Sequence, residues 1–514
     1  MVDTIKSYFE HAQLMQASYA TLIKGMSTDQ YRVALSKVKF TETLSQYFEN
    51  TYDIIDQKPN TGEGFSATVF KHRETGEYTL AIRGTESDLN GIIQDVLRAD
   101  IADIGGDGIA VSQALDLFNY YQDITAKQGQ PVYHYQLVQE RVPFPGHPLG
   151  LQLGGFGYIS VTQVGVAAAD GVLADKNFTV AGHSLGGHLA LVMSRLDPSH
   201  VDAVYTYNAP GFDTGLIPAN NNTELFFSKL AEAQTSSSGT TTINTTGFPE
   251  DKLNNLAVPL DVISDIGEMP GGQLFHFNEA TGPAGIVASH LSKGITDAFA
   301  VYNLIADLDA EASLEQITNI LKASAFRESE SLESLTEALY ILFENPYPAG
   351  FVGLRPQIDR ETMYQYIQTL QANQNFQLAA QTGSVASLVG LGTSNLIAAA
   401  QNDTGVMYAL QHLNPFAITG STVIYDQHNT QGELDAANYS EEYLEDRAGF
   451  LIASMELALG NEGGPRFYYT DAITGETLLS GFLSPPANYD PQSVRQIRFG
   501  STGNDNLDDL VEAA

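Results

Sequence analysis

The apolar positions of this chain change their spacing along its length, and those changes mark out its elements. Tyr8, Leu14, Tyr19 and Leu22 recur at loosely helical intervals and predict helix within residues 1 to 35. The β-branched and aromatic runs at 64–70 and 78–82 predict two strands around the turn Glu74-Thr75-Gly76. Helical patterns follow at 94–104 and 110–121. Phe178, Thr179 and Val180 then form a short strand, and 187–196 reads as a small-residue helix. Beyond it come a strand at 204–207, a long polar loop over 220–250, strands at 256–264 and 273–277, and a helix at 290–308. Strands alternating with helices in this way predict an α/β class with a mostly parallel sheet covered by helices.

Past residue 308 the spacing becomes helical throughout. Leu314, Ile317, Ile320 and Leu321 make one apolar stripe and Leu335, Leu339 and Leu342 another, as core-facing helices do. No strand pattern returns until Phe467-Tyr468-Tyr469. The expected organisation is therefore an α/β domain over 1–308, a helical accessory or lid region over 309–460, and a short β-rich segment over 461–514. One stretch fits neither period: 142–151 is rich in proline and glycine yet apolar, which suits a buried connection or a cover over a site.

Composition narrows the function. The 514 residues carry 61 acidic and 25 basic side chains, a net charge of −36 that repels phosphate backbones and anionic surfaces and excludes nucleic acid as a partner. With no cysteine there are no disulfides, zinc thiolates or thiol nucleophiles. No apolar run is long enough to span a membrane, and the start lacks a basic-then-apolar signal peptide. There is no H-E-x-x-H, no P-loop and no dinucleotide fingerprint, so no cofactor is expected for the chemistry.

The candidate chemistry centres on Gly182-His183-Ser184-Leu185-Gly186, a G-x-S-x-G between the strand at 178–180 and the helix at 187–196. That placement turns the chain sharply at Ser184 and exposes its hydroxyl at the helix N-terminus. A serine nucleophile needs a histidine base oriented by an acid. Of the eleven histidines, His11, His72, His134, His147, His183 and His188 are set aside by chain order or by sitting beside the nucleophile. His200 falls at the far end of the nucleophile helix. His290 follows a loop after the last strand and opens a helix, the position of a base that reaches Ser184; His276, inside a strand, is the alternative. For the acid, Asp265 lies just past the strand at 256–264, with Asp261 as the alternative placed mid-strand. An oxyanion forming at the substrate carbonyl would meet the N–H of Leu185.

These motifs resemble the class 3, fungal-type lipases, and more closely the bacterial lipases with C-terminal RTX calcium-binding repeats. The resemblance rests on Gly182–Gly186, on Arg83-Gly84-Thr85, which is similar to the family's R-G-[ST], on Asp265 five residues before Pro270, and on Ser289-His290 with the following helix. It implies an α/β-hydrolase fold, a triad of Ser184, Asp265 and His290, an oxyanion hole of Thr85 and Leu185, and a triacylglycerol lipase or phospholipase A1 activity. It also implies a lipid ester substrate at an interface and secretion by a type I system. The end of the chain, with Asn504, Asp505 and Asp508, is similar to one degenerate copy of an RTX repeat, so that calcium would be structural there. A rival expectation is a calcium-binding surface protein with a vestigial hydrolase domain.

Overall fold

The protein is described from a computed structural model over residues 2–61, 64–84, 109–138, 158–212, 222–237, 241–259, 261, 263–277, 290–324, 331–344, 358–459, 467–471, 477–479 and 495–499. These residues group into two compact units. One comprises Glu10–His276 with Gly282–Thr296, and the other Met1–Phe9, Phe277–Thr281 and Asp297–Ala514.

The first unit is built on a seven-stranded sheet. Its strands are β1 (Tyr52–Lys58), β2 (Ala67–His72), β3 (Tyr78–Ile82), β6 (Phe178–His183), β7 (Val201–Tyr207), β8 (Leu253–Ala257) and β9 (Leu274–Phe275), adjacent in that order. β1 to β3 pair antiparallel, and from β3 through β9 every neighbouring pair is parallel. Strands β4 (Pro131–Val138) and β5 (Tyr158–Val166) form a separate antiparallel hairpin. A mostly parallel sheet flanked by helices fits an α/β-hydrolase fold. The central strands are apolar on both faces, as burial between helix layers requires: Val69, Leu80, Val180 and Val204 on one face and Phe70, Ala81 and Ala181 on the other are all fully buried.

Three helices cover this core. The helix at Val111–Thr125 inserts Leu115, Phe118 and Tyr121. The helix at Leu185–Leu196 is buried along its whole length, which explains its run of small and aliphatic residues. The helix at Asn222–Ser236 buries Phe226, Phe227, Leu230 and Ala233. This last helix corrects the polar loop expected over 220–250: the threonines and serines that follow it obscure a four- and three-residue apolar spacing through 226, 230 and 233. The N-terminal segment is likewise not one helix. Helices Val2–Ala17 and Thr28–Lys37 are separated by a turn, and the second starts at a capping box of Ser27 and Gln30.

Register brings four strand ends to one edge of the sheet. Ile82 lies beside Gly182, His183 beside Tyr207, and Tyr207 beside Leu256. The residues that follow, 83–84, 184, 208, 258–259 and 261, therefore gather outside the carboxyl ends of the strands, where open parallel sheets place their ligands.

The second unit holds helices Leu314–Ala323, Ser331–Phe343, Arg360–Ala372, Gln374–Thr382, Thr393–Asn402, Thr404–His412 and Glu441–Ala458. It is not purely helical before residue 467, because Ser384–Ser387 pairs antiparallel with Phe416–Thr419. Each strand is only four residues long, too short for a period-two pattern to stand out. The Asp297 carboxylate accepts both arms of Arg360 at 2.6 Å and the Tyr364 hydroxyl at 2.8 Å. No helix among the described residues is long and apolar enough to cross a membrane. The stretch 142–151 lies outside the described residues.

Candidate active site

Ser184 sits between β6 and the helix Leu185–Leu196 with φ 55° and ψ −131°. A non-glycine residue held at positive φ stores about 1–3 kcal/mol of strain, and the neighbours impose it. A Cβ on Gly182 would lie 2.1 Å from Gly186 O, and one on Gly186 would lie 2.3 Å from Ile82 O. Only bare backbone at both positions lets strand and helix meet at so sharp a corner. Three hydrogen bonds lock it: Ser184 N–H donates to Tyr207 O, and the N–H groups of Gly187 and His188 donate to Ser184 O. No side chain caps the helix, so its opening N–H donors, that of Leu185 first, face the serine's end of the sheet.

His290 stands two residues ahead of the helix Ser292–Leu308. Its Nδ1 lies 2.8 Å from Asp261 Oδ1. Asp261 is 1% exposed, and its second oxygen accepts the Ser264 N–H at 2.9 Å. Burial opposes the charge on this carboxylate. The His290 hydrogen bond and charge, with the Ser264 N–H, outweigh it and hold the pKa below the ordinary aspartate value. A carboxylate kept ionised against an imidazole Nδ1–H fixes the ring's tautomer and frees Nε2 as a base.

The carboxylate beside His290 is thus that of Asp261, whereas Asp265 is exposed in the following turn. The strand expected over 256–264 ends at Ala257. Pro259 provides the reason: it cannot continue the ladder, so the chain turns and Asp261 falls on the loop. That proline inside an apolar run was the signal available in the sequence.

The other histidines have different surroundings. His200 pairs with Asp197 at 2.9 Å, and His276 is fully buried just past β9, its N–H donating to Ala257 O. His188, on the helix Leu185–Leu196, accepts the Ala110 N–H on Nε2 and donates from Nδ1 to Gly211 O at 3.1 Å. Burial, against the pull of the Pro210 and Gly211 carbonyls, drops its pKa to about 4. His183 contacts His290 directly, with ring centroids 4.7 Å apart. This contact brings the His290 ring next to the residue preceding Ser184. Thr85, Asn504, Asp505 and Asp508 lie outside the described residues. Among those described, no group of three or more histidine or acidic side chains is arranged to hold a metal.

No protein-family model matches the chain, and no curated protein matches it. Among solved structures, it overlaps the Lip2 lipase of Yarrowia lipolytica at 17% identity, covering 55% of this chain and 82% of that one with a TM-score of 0.26. The nonglycosylated form of the Yarrowia lipolytica lipase overlaps at 14% identity over 56% and 84%, with a TM-score of 0.30. Superpositions this loose add no weight to the geometry, on which the functional reading rests.

Proposed function

We propose that the chain is a serine carboxylic-ester hydrolase that cleaves lipid esters through an acyl-enzyme. The observation that carries this reading is the buried Asp261 carboxylate 2.8 Å from His290 Nδ1, at the same sheet edge as the strained Ser184. In the proposed reaction His290 Nε2 takes the Ser184 proton as Oγ attacks the ester carbonyl. The oxyanion is held by the N–H of Leu185 and, through the Arg83-Gly84-Thr85 motif, by Thr85. His290 then returns the proton to the leaving alcohol. Water, activated by the same imidazole, releases the acid. Asp261 stays ionised throughout and stabilises the imidazolium.

The choice of lipid esters over other esters rests on the sequence resemblance at Arg83-Gly84-Thr85 and Gly182–Gly186. Triacylglycerol is the proposed substrate. The deciding experiment incubates the protein with a mixed emulsion of triglyceride and diacyl phosphatidylcholine, with Ser184→Ala as the blank and with and without calcium. Diglyceride and free fatty acid are expected. Lysophospholipid would reassign the enzyme as a phospholipase A1, and products no greater than the blank would remove the hydrolase reading. Ser184→Ala is expected to lower turnover roughly a millionfold.

A further inference from the structure

Two side chains at this site have no part in the triad, yet they form a continuous hydrogen-bonded chain ending on it. The Tyr19 hydroxyl lies 2.8 Å from His183 Nδ1, and His183 Nε2 lies 2.5 Å from the main-chain carbonyl of His290. The proton positions follow from chemistry. A carbonyl only accepts, so His183 carries its proton on Nε2. Burial, reinforced by the neighbouring His290, drops the His183 pKa to about 3 despite the pull of the His290 carbonyl and Asp261, so the ring is neutral. Its Nδ1 is then a bare acceptor, and the tyrosine must donate.

We propose that Tyr19 and His183 are positioning residues that clamp the His290 main chain and thereby aim its imidazole. The inference rests on His290 being the base of the proposed hydrolase. Asp261 holds only the Nδ1 end of the ring. A ring held at one end pivots; fixing the backbone carbonyl as well defines where Nε2 points. The clamp is itself anchored. Gln57 on β1 donates to Ala20 O at 2.9 Å and accepts the Leu22 N–H at 2.8 Å, which ties the residues just after Tyr19 to the sheet. The corner at Gly84 leaves room for it: a Cβ there would lie 2.6 Å from the Tyr19 hydroxyl and 2.5 Å from His183 O. The glycine of the Arg83-Gly84-Thr85 motif thereby gains a function beyond ending a strand. Finally, a neutral His183 ring against His290 adds no like charge to oppose the imidazolium that forms during turnover.

The test uses the full chain and a soluble ester, p-nitrophenyl butyrate, with kcat, KM and melting temperature measured for each variant. His183→Leu removes both hydrogen bonds and is expected to lower kcat about 10- to 100-fold with KM little changed, the scale of a misaimed catalytic group. His183→Gln, whose amide can donate to the carbonyl and accept from the tyrosine, recovers most of that loss. Tyr19→Phe lowers kcat by less than His183→Leu. A kcat for His183→Leu within about twofold of wild type, or a glutamine no better than leucine, would overturn the clamp. Should His183→Leu fail to fold, Tyr19→Phe decides, and an unchanged kcat counts against the proposal. Spectra of 15N-histidine-labelled protein read the clamp without substrate. His183 should carry its proton on Nε2, and Tyr19→Phe should move the His290 ring signals. Unmoved signals sink the clamp even if wild type is no more active than Ser184→Ala, a result that would itself fall on the hydrolase reading.

Discussion

The serine corner at 182–187 and the acid turn after β8, through 258–259, 261 and 263–272, are shaped by different means. At the corner, backbone packs on backbone: Gly182 meets Gly186, and Gly186 meets Ile82, at distances no side chain permits. At the acid turn, distant polar groups supply the shape. Asn208 Oδ1 accepts the Val258 N–H at 2.9 Å, and Asn255 Nδ2 donates to Pro270 O at 2.7 Å and Gly272 O at 2.9 Å. Phe212 and Glu268 pair as an isolated bridge. A feature made by close backbone approach is written in adjacent residues. One made by hydrogen bonds across the fold is written in residues scattered along the chain.

The sharpest way to break this contrast is to ask which aspartate the site uses. Asp261→Asn keeps the shape of the turn but allows the wrong imidazole tautomer, and is expected to lower kcat by roughly 10⁴-fold. Asp265→Asn, at an exposed position, should leave kcat within about twofold. Kinetics on the two variants side by side check this, and a kcat for Asp261→Asn within about twofold of wild type would remove Asp261 from the site.

The corner should fail differently. A methyl on Gly186 would meet Ile82 O at 2.3 Å, Arg83 C at 2.7 Å and Gly84 N at 2.8 Å. All three are backbone atoms between sheet and helix, and none can swing aside. Gly186→Ala is expected to cost at least about 3 kcal/mol of stability as well as activity, measured by denaturant unfolding. The loss from Asp261→Asn should instead appear almost wholly in kcat.

The same contrast explains what was legible in the sequence. Ser184 and the glycines around it stand in one short motif between a strand and a helix, and the structure places them at that turn. The alternation of strands and helices around residue 184 likewise gave the parallel sheet, because each period is a local property. Asp261 was obscured because its position depends on where β8 stops, and apolar residues run on past Pro259. The helix Asn222–Ser236 was masked by the polar residues that follow it. His183 was set aside for sitting beside the nucleophile, yet its contacts with Tyr19 and the His290 carbonyl join residues more than 100 positions apart. No local pattern records such a pairing.

Acid should loosen both regions together. His183 belongs to the corner, and His188 ties the nucleophile helix to Gly211, whose N–H in turn donates to Ile266 O in the acid turn. Both rings are buried neutral, with pKa values near 3 and 4 against 6.5 when free. A lowered folded pKa means that the unfolded chain binds the extra protons, so stability is complete above pH 6.5 and falls as pH drops toward 4. Each histidine should remove roughly 2 kcal/mol between pH 7 and pH 5. Urea unfolding at the two pH values measures the sum, and His188→Gln should flatten the dependence by about one histidine's share.

The smallest expected effect probes the acid turn alone. Asn255 is buried, and its Oδ1 accepts the Thr206 hydroxyl at 2.9 Å while Nδ2 serves the carbonyls of Pro270 and Gly272. Asn255→Ala leaves those three groups without this partner in a place water does not readily reach, at a cost of about 1–3 kcal/mol. None of the three belongs to the serine corner. If the two regions are built independently, phosphorylation of Ser184 by diethyl p-nitrophenyl phosphate, with loss of p-nitrophenolate, should slow in Asn255→Ala only as far as His290 loses its orientation from Asp261. Combining it with Asp261→Asn should then add little further loss in kcat, since a carboxylate already removed cannot be misplaced. Full additivity of the two losses would mean that Asn255 supports the corner as well, and the division between the two regions would fall.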